Sequence, residues 1–181
     1  MRWPGKISAG TICEGIASSI DLYATLSQLA GAPLPADRKL DSISLAETLL
    51  EGKPTQRDRF AYYRGPNLEA IRKGDWKLHF WKEEWGQNGS DKPVPPALYH
   101  LRDDVGETKD LAEKHPEIVA DLEADAEEFR TTLGDRRLAR PGTEIREVGL
   151  SEQPEPLTRY DENHPYMIAC YDLADMPTMV G

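Results

Sequence analysis

The side chains that could do chemistry in this 181-residue sequence are few and scattered. Its two cysteines, Cys13 and Cys170, lie far apart and form neither a metal-type CxxC pair nor a dense disulfide framework. The four histidines are His79, His100, His115 and His164, and none stands in an H-E-x-x-H or other local ligand pattern. His115 precedes Pro116 and reads as the residue that starts a helix. His100 lies in a predicted strand and faces opposite to Tyr99, which suits a surface or sheet-packing role. His164 precedes Pro165 and carries no argument. His79 differs because it sits in an aromatic stretch, on the strand face that also carries Lys77 and Trp81; residue type alone leaves a structural and a ligand-binding role open. Asp103-Asp104-Val105-Gly106-Glu107 has a faint likeness to a calcium loop, but the EF-hand spacing is not met. Asp and Gly serve turns for local reasons, so a turn is the better account. The acidic run from Asp121 to Glu128 is a solvated helix face. Gly-x-Ser-x-Gly and phosphate-binding Gly loops are absent. On this reading the chain itself carries no catalytic residue and no metal ligand.

Composition narrows the function classes. The formal net charge is −10, and a nucleic-acid binder needs clustered Lys and Arg against phosphate, so no nucleic-acid partner is expected. The acidity reads as solubility. No apolar run approaches the ~18 residues of a membrane span, so no membrane partner is expected either. Met1-Arg2-Trp3-Pro4-Gly5-Lys6 has no apolar core of a signal peptide, which leaves the compartment of any parent protein open.

The elements that must position these residues are legible in the pattern. Asp21 is the expected N-cap of a helix whose Leu22, Leu26 and Leu29 make one apolar stripe, ended by Gly31. A short helix is predicted from Ser44 to Leu50, closed by Gly52. Four short segments follow: Arg59 to Arg64, Leu68 to Arg72, Trp76 to Trp81 and Ala97 to Leu101. Gly65-Pro66, Lys73-Gly74 and Gly86 to Ser90 separate them as turns, which predicts a small, mostly antiparallel sheet. Trp76, Leu78 and Phe80 share one face of the third segment, and Lys77, His79 and Trp81 the other. Pro116 to Leu133 is the longest predicted helix, with Ile118, Leu122, Ala126, Phe129 and Leu133 directed at the sheet. Beyond Gly134 the pattern fades into an irregular tail, whose end Tyr166, Met167, Ile168 and Tyr171 are expected to anchor.

The order of motifs resembles the sulfatase family. Arg2-Trp3-Pro4-Gly5-Lys6-Ile7 with Ala9-Gly10-Thr11 is similar to its "WPG-I-G" segment. Ile20-Asp21-Leu22-Tyr23-Ala24-Thr25-Leu26, then Leu29-Ala30-Gly31, resembles its "D-hydrophobic-aromatic-P-T-L…LAG" helix. Asp41-Ser42-Ile43-Ser44-Leu45 resembles "DG-x-SL", and Ala70 through Leu78 its "A-V-R-x-G-x-W-K" hairpin. Leu98-Tyr99-His100-Leu101, Asp104, Gly106-Glu107, Leu111-Ala112 and His115-Pro116-Glu117 follow "LY-x-L-x-x-DPGE-x-x-NLA". Ala24, Ser42, Val105 and Asp110 depart from the family's Pro, Gly, Pro and Asn.

The resemblance implies an α+β fold: a small antiparallel sheet packed by a long helix, preceded by the final segment of an alkaline-phosphatase-like α/β sulfatase domain. Residues 1–54 would be that terminal segment, 55–134 the small C-terminal sheet-plus-helix domain, and 135–181 the irregular tail. The family's nucleophile is a formylglycine made within a C/S-x-P-x-R motif and held beside calcium. Neither Cys13, Cys170 nor any serine stands in such a motif. The resemblance therefore implies the C-terminal part of a sulfuric ester hydrolase, inactive alone. Its partner would be the N-terminal sulfatase domain, with a sulfated small molecule or carbohydrate as substrate of the complete enzyme. The leucine stripe would pack on a sheet of that larger domain. His79, after Trp76-Lys77-Leu78, falls where some members place a substrate-contacting histidine. Family members are often periplasmic, extracellular or lysosomal. The competing expectations are a stand-alone non-catalytic binding or interaction module on the same scaffold, and an enzyme with an unrelated site.

Overall fold

The computed structural model describes residues 1–81 and 96–145, all within one compact unit, Met1–Ile145. The predicted turn at Gly86 to Ser90, His164, Cys170 and the expected anchor around Tyr166 to Tyr171 lie outside the described residues. In chain order the elements are α1 (Asp21–Ala30), α2 (Ala46–Glu51), β1 (Arg59–Arg64), β2 (Asn67–Lys73), β3 (Trp76–His79), β4 (Ala97–His100) and α3 (Pro116–Leu133), followed by a 3-10 turn at Arg136–Leu138. The four strands form one antiparallel sheet in the order β1-β2-β3-β4, so the α+β class and the hairpin architecture stand as the sequence implies.

Register follows from the tight turns. Lys73 pairs with Trp76 across Gly74-Asp75, and Gly74 takes a φ of 56°, a left-handed conformation that costs a residue with a Cβ. That register lines up Ile71, Leu78 and Leu98 on one face, all fully buried. α3 lies over this face against β2 and adds Leu122 and Ala126 to the core, with Ile118, Val119 and Phe129 packed at its margin. Trp76, at the edge of the same face, sits between His100 and His115, whose ring centroids lie 4.6 and 5.0 Å away. His115 occupies the N-cap position of α3, with Pro116 in its first turn, as predicted.

Leu133 departs from expectation: it is 38% exposed and outside the core. It stands in the last turn of α3, beside the C-cap Gly134. That end is closed by returning chain. The Thr143 and Glu144 N–H groups donate to the Thr131 and Thr132 carbonyls at 3.0 and 2.9 Å. A Cβ at Gly134 would lie 2.7 Å from the Gly142 nitrogen, so the two backbones approach only as glycines. A register shift between Tyr62 and Tyr63 turns Tyr63 toward the same end, where its hydroxyl donates to the carbonyls of Phe129 and Gly134. Burial, with the nearby Asp135 charge, pushes the Tyr63 phenol up to about 12.

Asp21 also departs from its predicted role. Ile20 holds the N-cap position, and Asp21 is the first helical residue, fully buried. Its carboxylate accepts from Ser18 N–H at 2.9 Å, Ile43 N–H at 3.0 Å and Arg57 Nε at 3.1 Å, and pairs with Arg57 Nη2. Local sequence suggested a cap; the distant guanidinium of Arg57 redirects the carboxylate. The buried side of α1 is therefore Asp21, Ala24 and Thr25, while Leu22 and Leu26 are 37% and 61% exposed. Thr25 Oγ1 accepts from Leu45 N–H at 2.9 Å and Ser42 Oγ accepts from Ala24 N–H at 2.8 Å, which stitches the segment before α2 to this polar side.

Candidate functional site

The sheet face turned away from α3 carries Lys77 and His79 of β3, beside Tyr99 of β4 and Tyr62 of β1. Alternation along β3 puts Lys77 and His79 there because Leu78 is taken by the core. What shapes the face is the loop after β4. Asp104 organises it: its carboxylate accepts from the N–H groups of Lys109 and Thr108, each at 2.8 Å, and from the Thr108 hydroxyl at 3.0 Å. The Lys109 amide foremost holds the Asp104 carboxyl below its ordinary value. Asp110 accepts from Leu98 N–H at 3.0 Å and from Ala112 N–H at 2.9 Å, and Leu111 N–H donates to the Leu98 carbonyl at 2.8 Å. The loop thus runs along the outer edge of β4 and occupies part of its hydrogen-bonding edge.

This arrangement delivers Glu107 onto Lys77 and His79. Lys77 Nζ lies 2.6 Å from Glu107 Oε1, and His79 Nε2 lies 2.7 Å from Oε2. The His79 contact lies within ion-pair distance, carries charge on the ring only when the imidazole is protonated, and does not have the alignment of a hydrogen bond. Lys77 also sits 4.7 Å above the Tyr62 ring centroid, and the His79 and Tyr99 rings meet edge to face at 5.7 Å. The cluster joins an ammonium and an imidazole through one carboxylate. Sequence reasoning found Lys77 and His79 on one face but read Glu107 only as part of a turn. The single local signal was its place after Gly106 in the family-like motif.

The other residues singled out by sequence are not brought to this cluster. His100 Nδ1 lies 2.7 Å from Asp103, and His115 Nδ1 3.3 Å from Glu117. Cys13 is exposed and lines an open cleft of about 1030 Å³ between the N-terminal residues, the α2–β1 connection and the β2–β3 turn. The arginines there are engaged: Arg72 Nε donates to the Gly74 carbonyl at 2.8 Å, and Arg102 Nε pairs with Asp75 at 3.0 Å.

Calcium, which the family resemblance implies for a complete enzyme, does not fit the described residues. The oxygens of Asp104 and Glu107 are directed at amides and cations, and no three His, Cys, Asp or Glu side chains among the described residues are grouped to hold an ion.

Comparison with known proteins places the fold. Residues 55–146, just over half of the chain, match the family described as the C-terminal region of aryl-sulfatase. The human N-acetylgalactosamine-6-sulfatase is 36% identical over 126 residues, covering 58% of this chain and 24% of the relative. An arylsulfatase of Hemicentrotus pulcherrimus is 32% identical over 157 residues, covering 72% of this chain and 28% of the relative. A solved Bacteroides thetaiotaomicron structure, described for the metabolism of multiple glycosaminoglycans, superposes with a TM-score of 0.59 at 32% identity, over 72% of this chain and 28% of that one. The chain belongs to the sulfatase family and corresponds to its C-terminal region. It spans about a quarter of the length of these relatives.

Proposed function

We propose that this chain is the C-terminal part of a sulfuric ester hydrolase that completes an α/β catalytic domain and does not cleave sulfate esters by itself. The observation that carries this reading is the match of residues 55–146, the sheet and α3, to the C-terminal region of aryl-sulfatase. Residues 1–54 are then the terminal segment of the larger α/β domain, 55–134 the small C-terminal domain and 135–181 its tail. The exposure of Leu22 and Leu26 on α1 supports this, because an apolar stripe on a helix calls for a packing partner. Formylglycine and calcium belong to the catalytic domain and supply the nucleophile and its activation there. This chain's own residues bind and orient. His79, with Lys77 beside it, contacts the sulfated substrate, for which the names of the relatives point to a sulfated carbohydrate.

Two measurements test the reading. The purified chain, assayed with a chromogenic aryl sulfate with and without calcium, should show no turnover above buffer, and should bind a hydrophobic dye that Leu26→Glu displaces. Turnover that follows the chain through purification overturns the proposal. With the chain joined to a sulfatase α/β domain, His79→Ala should lower kcat/KM about ten- to hundredfold, the loss expected for a hydrogen bond to a charged group of about 1.5–3 kcal/mol. The melting temperature should barely change. Lost stability with unchanged kinetics returns His79 to a structural role.

A further inference from the structure

We propose that Glu107 is a positioning residue that sets the head groups of Lys77 and His79 as one preformed anion-binding pair. The proposal rests on the reading of His79 as a substrate contact, and three observations on Glu107 carry it. Lys77 and His79 are two residues apart on one face of β3, with α-carbons about 6.7 Å apart, so a protonated His79 would repel the Lys77 ammonium unless an anion lay between them. Glu107 removes that repulsion by giving each head its own carboxylate oxygen, at 2.6 and 2.7 Å. Each oxygen of the one carboxylate thus lies against a different head, which keeps the two heads together on this face.

The second observation is backbone conformation. Glu107 has a φ of 52°, in the left-handed region where a side chain costs about 1–2 kcal/mol. Glycine would remove that cost, and Gly106 stands next to it. The strain is sustained by the loop: Glu107 N–H donates to the Asp104 carbonyl at 3.1 Å while the Asp104 carboxylate fastens Thr108 and Lys109. A loop that holds a glutamate where glycine is easier marks the carboxylate as the group being placed.

The third is the surroundings. Ala70 and Ala97 are the β2 and β4 partners of His79, so its strand neighbours leave room for the ring beside Tyr99. Arg72, the β2 partner of Lys77, turns its Nε to the Gly74 carbonyl. Glu107 is thus the acidic group placed against both heads among the described residues.

The test uses the whole chain labelled with 15N for histidine ring spectra across pH. An opposite charge in contact raises a histidine midpoint, so Glu107→Gln should lower that of His79 by about 1 pH unit and shift its ring nitrogens, leaving His100 and His115 in place. Glu107→Gly, which relieves the backbone while removing the carboxylate, should release His79 in the same way, and Glu107→Asp should restore part of the effect. Unchanged His79 ring shifts and midpoint in both Glu107→Gln and Glu107→Gly overturn the proposal. The joined sulfatase provides the separate arm: Glu107→Gln should reduce kcat/KM about tenfold, with partial rescue by Glu107→Asp. A silent His79→Ala in that enzyme removes the substrate-contact reading, while the ring spectra still decide whether Glu107 positions the histidine.

Discussion

Asp21→Ala is expected to destabilise the chain by about 3–5 kcal/mol, the range for removing one partner of a buried ion pair. Asp21 is fully buried and the Arg57 side chain is 10% exposed, so alanine leaves a guanidinium in a poorly solvated site without its counter-charge. It also strands the Ser18 and Ile43 N–H groups that donate to the carboxylate. Arg57 keeps only its bond to the Asp41 carbonyl, at 2.7 Å, and its place 5.6 Å from the Phe60 ring. Because Arg57 stands just before β1 and Asp21 opens α1, the pair joins the N-terminal segment to the sheet. The effect should therefore appear as a lower urea midpoint for the whole unit. Burial raises the Asp21 carboxyl, but Arg57 and the Ile43 and Ser18 amides outweigh it and hold the group below 3.8. A depressed native value means that the ionised group's stabilisation is complete above the unfolded value, near 3.9, and is lost as pH falls toward the native one. The gap between wild type and Asp21→Asn should accordingly be constant at neutral pH and narrow below about pH 4. A cost under 1 kcal/mol for Asp21→Ala at pH 7, on the order of an exposed pair, would refute this account.

Leu122→Ala should cost about 2–5 kcal/mol, since its fully buried side chain fills the contact between α3 and the sheet. The strands beneath it are held in register on both sides and α3 is closed at its C-terminal end, so the site has little freedom to collapse into the cavity. Leu133→Ala, in the exposed last turn of α3, should stay within about 0.5 kcal/mol. Phe129 lies between these cases: it packs at the core margin under Arg59, 5.6 Å from its ring, and its truncation should cost less than that of a fully buried phenylalanine. Thermal melts of the three variants measure the order directly. Equal melting temperatures for Leu122→Ala and wild type would show that α3 does not dock through this face.

Much of the fold was legible because it depends on neighbours in sequence. Alternation in Trp76 to Phe80, the Gly74-Asp75 turn and the Pro116 start of α3 are local signals, and the strands and helix formed where those signals lie. The family was legible for a related reason: its short motifs occur in order, each at a turn or helix end that constrains residue type.

Periodicity could not say which side of α1 is buried. The leucine stripe is the more apolar side, yet Asp21, Ala24 and Thr25 are the ones covered, because Arg57, Ser42 and Leu45 supply hydrogen-bonding partners from 18 to 36 positions away. Glu107 was hidden in the same way. Its spacing from Lys77 is 30 residues, and only the path of the loop along β4 brings its carboxylate to that head and to His79. Sequence by itself determined the helices, the strands, the Gly74-Asp75 turn and the family, since backbone conformation and side-chain alternation are set within a few residues. The tertiary structure alone decided which charges meet, because an ion pair depends on two side chains converging in space, and no local pattern encodes that distance.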